Sequence, residues 1–368
     1  MRRKRIAIAC QGGGSQCAFV AGALKTLFAE RVHSRFKIVG LSGTSGGALT
    51  AALAWAGLLR ESYGDPISIE DKVLGCWKDL TAQTPTETFI DGFFVQLQRF
   101  VEGGLLPSFA SSPSSLQFKF CSQVVAPLFC RPEFTDLGAL IDKHLNFAAL
   151  PDVLEPEAPV LLVGAADVLQ GTFKIFSSAR AEVSAQALLA SAAIPTLFPA
   201  VWVDGHAYWD GIFSSNPPIF GFLQEAYMTN HHVPDEIWII QVNRAEHDFV
   251  PEQPSDIFDR RNHLAGNLSL RHELQLIEMV NYLIREGALT EAFRTRFGLD
   301  TGEPITVRFI RMSEELQRGL DYPSKLSRQP AHIAALVADG EARARAFLAD
   351  IDKAELSTSM FEGAPQLH

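Results

Sequence analysis

The sequence predicts an α/β fold in which a mostly parallel sheet is flanked by helices. Two observations carry this. Short apolar runs alternate with stretches of helical periodicity, and glycine-rich turns stand where a strand gives way to a helix. Residues 5–10, Arg-Ile-Ala-Ile-Ala-Cys, read as a short buried strand. Ala18 to Ala29 carry Phe19, Ala23 and Leu27 at helical spacing. Phe36 to Leu41 is a second strand, and Gly47 to Ala56 a second, alanine-rich helix. Pro159 precedes a third buried strand, Val160 to Val163, and the turn Gln170-Gly171 returns Thr172 to Phe176 as its hairpin partner. Glu236 to Val242 and Ile305 to Ile310 are further strands. Leu268 to Phe293 and Ala331 to Ile351 read as amphipathic helices that pack on the rest.

Between about residues 60 and 157 the pattern changes. Phe89, Phe93, Phe94, Phe100, Phe109, Phe118, Phe120, Phe129 and Phe134 fall here, around the loop-like stretch Pro107 to Ser115. Burying phenylalanine is favourable in a core and in a lipid-facing wall alike, so both readings stand. The expected organisation is a catalytic unit over residues 5–225 with this stretch as an insertion. Strands and helices over 226–355 complete or cap the same domain, and 356–368 form a loose tail.

Composition excludes several function classes. The chain has 368 residues, 47% of them hydrophobic and 20% charged, which is the profile of a globular protein. Its 32 Lys and Arg against 42 Asp and Glu give a net charge of −10, so it lacks the electrostatic footprint of a nucleic-acid binder. Cys10, Cys17, Cys76, Cys121 and Cys130 are odd in number and show no CxxC pair, which suits a reducing, cytoplasmic setting. The basic start, Met1 to Arg5, resembles a signal peptide, but residues 11–16 break the apolar run behind it. No apolar stretch reaches the ~18 residues of a membrane-spanning helix.

Three segments carry chemistry. Gly43-Thr44-Ser45-Gly46-Gly47 is a G-x-S-x-G pentapeptide between an apolar strand and a helix. That context suits a nucleophile elbow, in which a sharp turn exposes Ser45 and the small Gly43 and Gly47 let the chain pass. The helix start beneath Ser45 favours developing negative charge. Gly12-Gly13-Gly14 ends the first strand, and backbone N–H groups there can form a nest for a negative oxygen. An oxyanion hole, a dinucleotide phosphate loop and an inert tight turn all fit. For the phosphate loop, Cys17 stands where the third glycine belongs. In the segment Trp209 to Pro218, Asp210 is either the base that takes the Ser45 proton or an Asx-turn residue before Gly211. Apolar Trp209, Ile212 and Phe213 beside it would raise its pKa and make it a better base.

Together these segments resemble the patatin-like phospholipases, as does Ala190 to Pro199 ahead of the Asp-Gly pair. The resemblance covers about residues 5 to 225. It implies a three-layer α/β/α sandwich with a mostly parallel central sheet, and a lipid acyl hydrolase with a Ser–Asp dyad. Ser45 is then the nucleophile, Asp210 the base, and the backbone of Gly12, Gly13 and Gly14 the oxyanion hole. Two positions depart from the family's pattern. Gln16 stands where the family often has Arg or Lys, and Ile212 where it usually has Gly or Ala.

The expected partner is a lipid or fatty-acyl ester, met in the cytoplasm or in transient contact at a membrane surface. Neither nucleic acid nor a cofactor is expected. His206, His231, His232 and His247 stand in no metal-ligand spacing, so no metal is expected either. Alternative functions are a non-hydrolytic acyl-binding or acyltransferase relative, and a dinucleotide-binding enzyme using residues 5–30.

Overall fold

The computed structural model describes residues 2–61, 64, 66–107, 126–150, 158–195, 197–228, 233–296, 298–299 and 302–362, the last eight by backbone alone. Phe109, Phe118, Phe120, most of the loop around them, Cys121, Thr196, His231, His232 and residues 363–368 of the expected tail lie outside these.

Strand β1 (Arg5–Cys10) is buried along its whole length, as its unbroken apolar run requires of a strand covered on both faces. Helix α1 (Ala18–Ala29) follows, then β2 (Lys37–Thr44) and α2 (Gly46–Glu61). The insertion folds as α3 (Ile69–Leu80), α4 (Pro85–Glu102), α5 (Leu137–His144) and shorter turns. Helix α4 starts at a capping box, Thr84 with Glu87, and Pro85 opens its first turn. Next come β3 (Val160–Asp167), β4 (Thr172–Ser177), α6 (Ala185–Ser191), β5 (Val201–Val203) and β6 (His206–Asp210). Strand β7 (Glu236–Gln241), α7 (Pro254–Arg285), α8 (Glu291–Arg296), β8 (Thr306–Arg311) and α9 (Pro330–Glu362) complete the chain.

The sheet runs β5-β6-β3-β2-β1-β7-β8, with β4 also paired to β3. Pairs from β3 through β8 are parallel, and β4, β5 and β6 are antiparallel additions at one side. Alternation along β1 sorts its side chains between two cores. Ile6, Ile8 and Cys10 join Phe19, Leu24, Trp55 and Trp238 beneath α1, α2 and α9. Ala7 and Ala9 join Leu162, Phe222, Ile237, Leu270 and Ile277 beneath α7. Helices therefore cover both faces, and the architecture is a three-layer α/β/α sandwich.

The structure departs from the sequence reading at several points. The long helix expected at Leu268 begins at Pro254, because proline starts it while its first turns are too polar to show an apolar stripe. It ends at Arg285 rather than Phe293; Gly287 follows at φ 62, and a separate short helix starts at Glu291. The hairpin β5–β6 was not anticipated. The phenylalanines of the insertion divide: Phe134 is buried, whereas Phe89, Phe93, Phe100 and Phe129 are exposed. Helix α9 continues to Glu362, past Ile351. Among the described residues, no helix is long and apolar enough to cross a membrane.

Helices α1 and α9 cross where Gly22 faces the Val337 carbonyl and Gly340 faces the Phe19 carbonyl. A side chain at either point would press on helical backbone, which cannot swing aside. Alanine in a helix gains about 1 kcal/mol over glycine, but forced overpacking costs about 1–3 kcal/mol. Gly340→Ala is therefore expected to lower stability in a urea melt. A gain in stability would show that the crossing is loose.

Candidate active site

Sheet topology makes the site. Strand β4 occupies one edge of β3 from Leu162 to Asp167, so β2 and β6 must share the other. From one end β2 pairs with Val160 to Gly164; from the opposite direction β6 pairs with Ala165 to Asp167. Thr44 is paired with Gly164, and Asp210 with the next residue, Ala165. The two strands thus meet end to end, and the residues at their tips, Ser45 and Asp210, come face to face.

Ser45 sits between β2 and α2 with φ 56, a left-handed conformation that costs a non-glycine residue about 1–3 kcal/mol. Ser191, fully buried at the end of α6, holds this turn. Its Oγ accepts the Ser45 N–H at 2.9 Å and donates to the Gly164 carbonyl at 2.6 Å. The Thr44 hydroxyl adds a bond to the Ser215 carbonyl at 2.5 Å.

Asp210 is 1% exposed. Burial pushes its carboxyl up to about 7, while hydrogen bonds from the Ser45 hydroxyl and the Ile212 N–H, and the charge of Lys325, pull the other way. The Ile212 N–H donates to Oδ1 at 2.9 Å, so Asp210 does form the Asx-type turn. The same side chain also faces Ser45 and takes a hydrogen bond from its hydroxyl. Ile212 is buried beside it, whereas Phe213 is 58% exposed.

The glycine loop is held from three directions. The Gln11 carboxamide oxygen accepts the Val242 and Asn243 N–H groups at 2.9 and 2.8 Å. The Gly12 N–H donates to Asn216 Oδ1 at 2.6 Å, and the Gly12 carbonyl accepts from Asn243 Nδ2 at 2.9 Å. The Gly12 N–H is thus already engaged, unlike the sequence expectation of three free donors. The Gly14 N–H meets no acceptor among the described residues, and the Gly13 N–H meets only the weakly accepting sulfur of Cys17. Beneath them the buried Cys17 thiol donates to the Gln11 carbonyl at 3.4 Å, and burial raises its pKa. Gln16 is buried too, bonded to Ser324 Oγ at 2.9 Å and to the Asp321 carbonyl at 3.2 Å.

No histidine joins this group among the described residues. His206 is at the far end of β6, bonded to Asp167 at 2.9 Å, and His247 contacts His263 at 3.3 Å. No cluster of three potential metal ligands occurs among the described residues. Sequence reasoning missed the supports: Ser191, Asn216, Asn243 and Lys325. Ser191 and Asn216 stood inside segments already singled out, while Asn243 and Lys325 come from strands and turns far along the chain and carry no local signal.

A sequence model of the patatin-like phospholipase family matches residues 8–223. No curated protein matches the sequence. Among solved structures, VipD from Legionella pneumophila is 13% identical, with 95% of this chain and 67% of that one covered and a TM-score of 0.38. The type III effector ExoU is 12% identical, with 94% and 52% covered and a TM-score of 0.35. Full-length ExoU of Pseudomonas aeruginosa, solved with SpcU, is 16% identical, with 74% and 51% covered and a TM-score of 0.26. The chain spans about half the length of both ExoU chains.

Ser191→Ala leaves the buried Ser45 N–H and Gly164 carbonyl without their partner. The expected loss is about 1–3 kcal/mol of unfolding free energy, read by urea denaturation. An unchanged midpoint would mean that the elbow is held by other means.

Proposed function

The chain belongs to the patatin-like phospholipase family, and from that premise we propose that it cleaves carboxylic esters of lipids through an acyl-enzyme on Ser45. The observation that carries this reading is the Ser45 hydroxyl set against a carboxylate, Asp210, that is shut off from water. An exposed carboxylate of ordinary pKa is too weak a base for a serine hydroxyl. Raised to about 7, Asp210 is matched to proton transfer near neutral pH.

In this mechanism Ser45 Oγ attacks the ester carbonyl while Asp210 takes its proton. The carbonyl oxygen becomes an oxyanion, met by the N–H groups of Gly13 and Gly14, with Gly12 serving to anchor the loop. Collapse breaks the ester C–O bond, and Asp210 returns its proton to the departing alcohol. Water then attacks the acyl-enzyme, again giving its proton to Asp210. The fatty acid leaves, and Ser45 recovers its proton. The helix α2 start behind Ser45 adds a favourable dipole.

Ser45→Ala is expected to cut ester turnover by several orders of magnitude without unfolding the protein. Asp210→Asn keeps the turn but cannot accept a proton, and should lose about 10²–10⁴ in rate. A folded Asp210→Asn protein with near-normal turnover would leave Ser45 without a base.

The working form of Asp210 is the charged one, so the rate should fall as pH drops through its pKa. The acidic limb of kcat/KM is expected near pH 7. A midpoint near 4, the value of an ordinary aspartate, would mean that a different, solvated carboxylate controls the reaction. Replacing His206, His247, His263 or His272 singly with Gln should leave turnover within about tenfold, short of the loss on removing a triad member.

A further inference from the structure

One buried charge has no part in the mechanism so far. Lys325 lies in the turn Pro323–Leu326, beyond the residues that match the family, and is 5% exposed. Its Nζ donates to Asn243 Oδ1 at 2.6 Å and to Asn262 Oδ1. Among the described residues it forms no ion pair. Its hydrogen-bond partners are neutral amides, and the carboxylates of Asp259 and Asp210 act on it without direct contact, an arrangement that leaves much of the cost of burying an ammonium group in place.

The turn is tied to the glycine loop at every point. Ser15 Oγ donates to the Ser324 carbonyl at 2.9 Å. The Lys325 backbone packs on Gly14 so closely that any side chain there would collide with its carbonyl. Gln16 bonds both Ser324 and Asp321. Gln16 thus holds the segment that carries Lys325. Asn243 completes the link, accepting from Lys325 and donating to the Gly12 carbonyl.

The charged and titratable groups facing Lys325 are Cys17 before α1, Asp210 on β6, and Asp259 and His263 on α7. Asp210 in turn faces Ser45, Cys17, Tyr322 and Lys325. Among the described residues the ammonium is therefore the cation acting on the carboxylate, and burial lowers its own pKa to about 8.

We propose that Lys325 is the positioning cation of the site: its turn packs on Gly14, its ammonium fixes the Gly12–Gly14 loop through Asn243, and its charge is thereby set toward the Ser45–Asp210 pair. This rests on the Ser45–Asp210 reading. Loss of the charge removes one of the influences that keep Asp210 ionised, so the acidic limb of the rate profile moves to higher pH.

The test is the pH profile of kcat/KM for a chromogenic ester in three variants, each checked for folding by circular dichroism. Lys325→Met removes charge and hydrogen bonds, Lys325→Gln removes charge but keeps a donor, and Lys325→Arg keeps the charge. Met and Gln are expected to shift the acidic limb up by about one pH unit, as loss of a nearby opposite charge does, and to lower the rate at pH 7 about tenfold or more. Arg should retain the original limb. Folded Met or Gln variants with an unshifted limb overturn the proposal, whatever their rate. The unmodified protein gives a test that needs no substitution: its rate should decline as Lys325 loses its proton near pH 8, and a rate flat to about pH 9.5, well past that value, also overturns it. A Ser45→Ala protein that still turns over ester would instead overturn the dyad itself. An inactive Ser45→Ala protein beside unshifted Lys325 variants would remove only the role given to Lys325.

Discussion

The meeting of β2 and β6 on one edge of β3 is the constraint on which the rest of the site depends. A parallel strand arriving from one end and an antiparallel strand arriving from the other put Thr44 and Asp210 on consecutive register positions, with only the gap between the two strand ends separating them. Whatever stands at the strand tips must share that gap. In this chain the occupants are a hydroxyl and a carboxylate, and the carboxylate is the more deeply buried of the two. Backbone pairing thus fixes the geometry, and the side chains at the gap have little freedom to drift from it.

The same constraint explains the electrostatics. A carboxylate at a sheet interior cannot be solvated, so it persists there only with hydrogen bonds and a compensating charge. Ile212 supplies one backbone donor, and Ser45 supplies a hydroxyl. Lys325 supplies the charge at longer range, bonded to asparagine oxygens rather than paired directly with an acid. A direct ion pair with Lys325 would favour the ionised form far more strongly and weaken Asp210 as a base. The indirect arrangement leaves burial as the dominant influence and the carboxyl near neutrality. The strained Ser45 backbone is held in a comparable way, with Ser191 bridging it to Gly164.

Much of the sheet was legible because buried parallel strands write themselves as unbroken apolar runs. β1, β3 and β7 begin where the runs in the sequence place them, and the edge strand β8, apolar at alternate residues, begins within one residue. The elbow was legible because small residues must flank a strand-to-helix turn. β5–β6 was written in the sequence and passed over: Asp204 and Gly205 take φ 49 and 81, the hairpin turn that an Asp-Gly pair between alternating residues signals. The polar start of α7 hid from any apolar pattern, since its first turns face Tyr322, Lys325 and the loop after β7. Lys325 and Asn243 were illegible for a different reason. Their roles depend on which distant segment they touch, and one sequence has no local mark for that. The engaged Gly12 N–H belongs to the same class, because only the placement of Asn216 reveals it.

The central claim is that a buried Asp210 activates Ser45. Its most direct test is the pH dependence of phosphonylation by a fluorophosphonate, with the modified residue located by peptide mass spectrometry. The account predicts a single adduct on the peptide carrying Ser45, formed at a rate that rises with pH through a midpoint near 7. An adduct on another residue, or a Ser45 labelling rate that does not change between pH 5 and 8 across that midpoint, would contradict it.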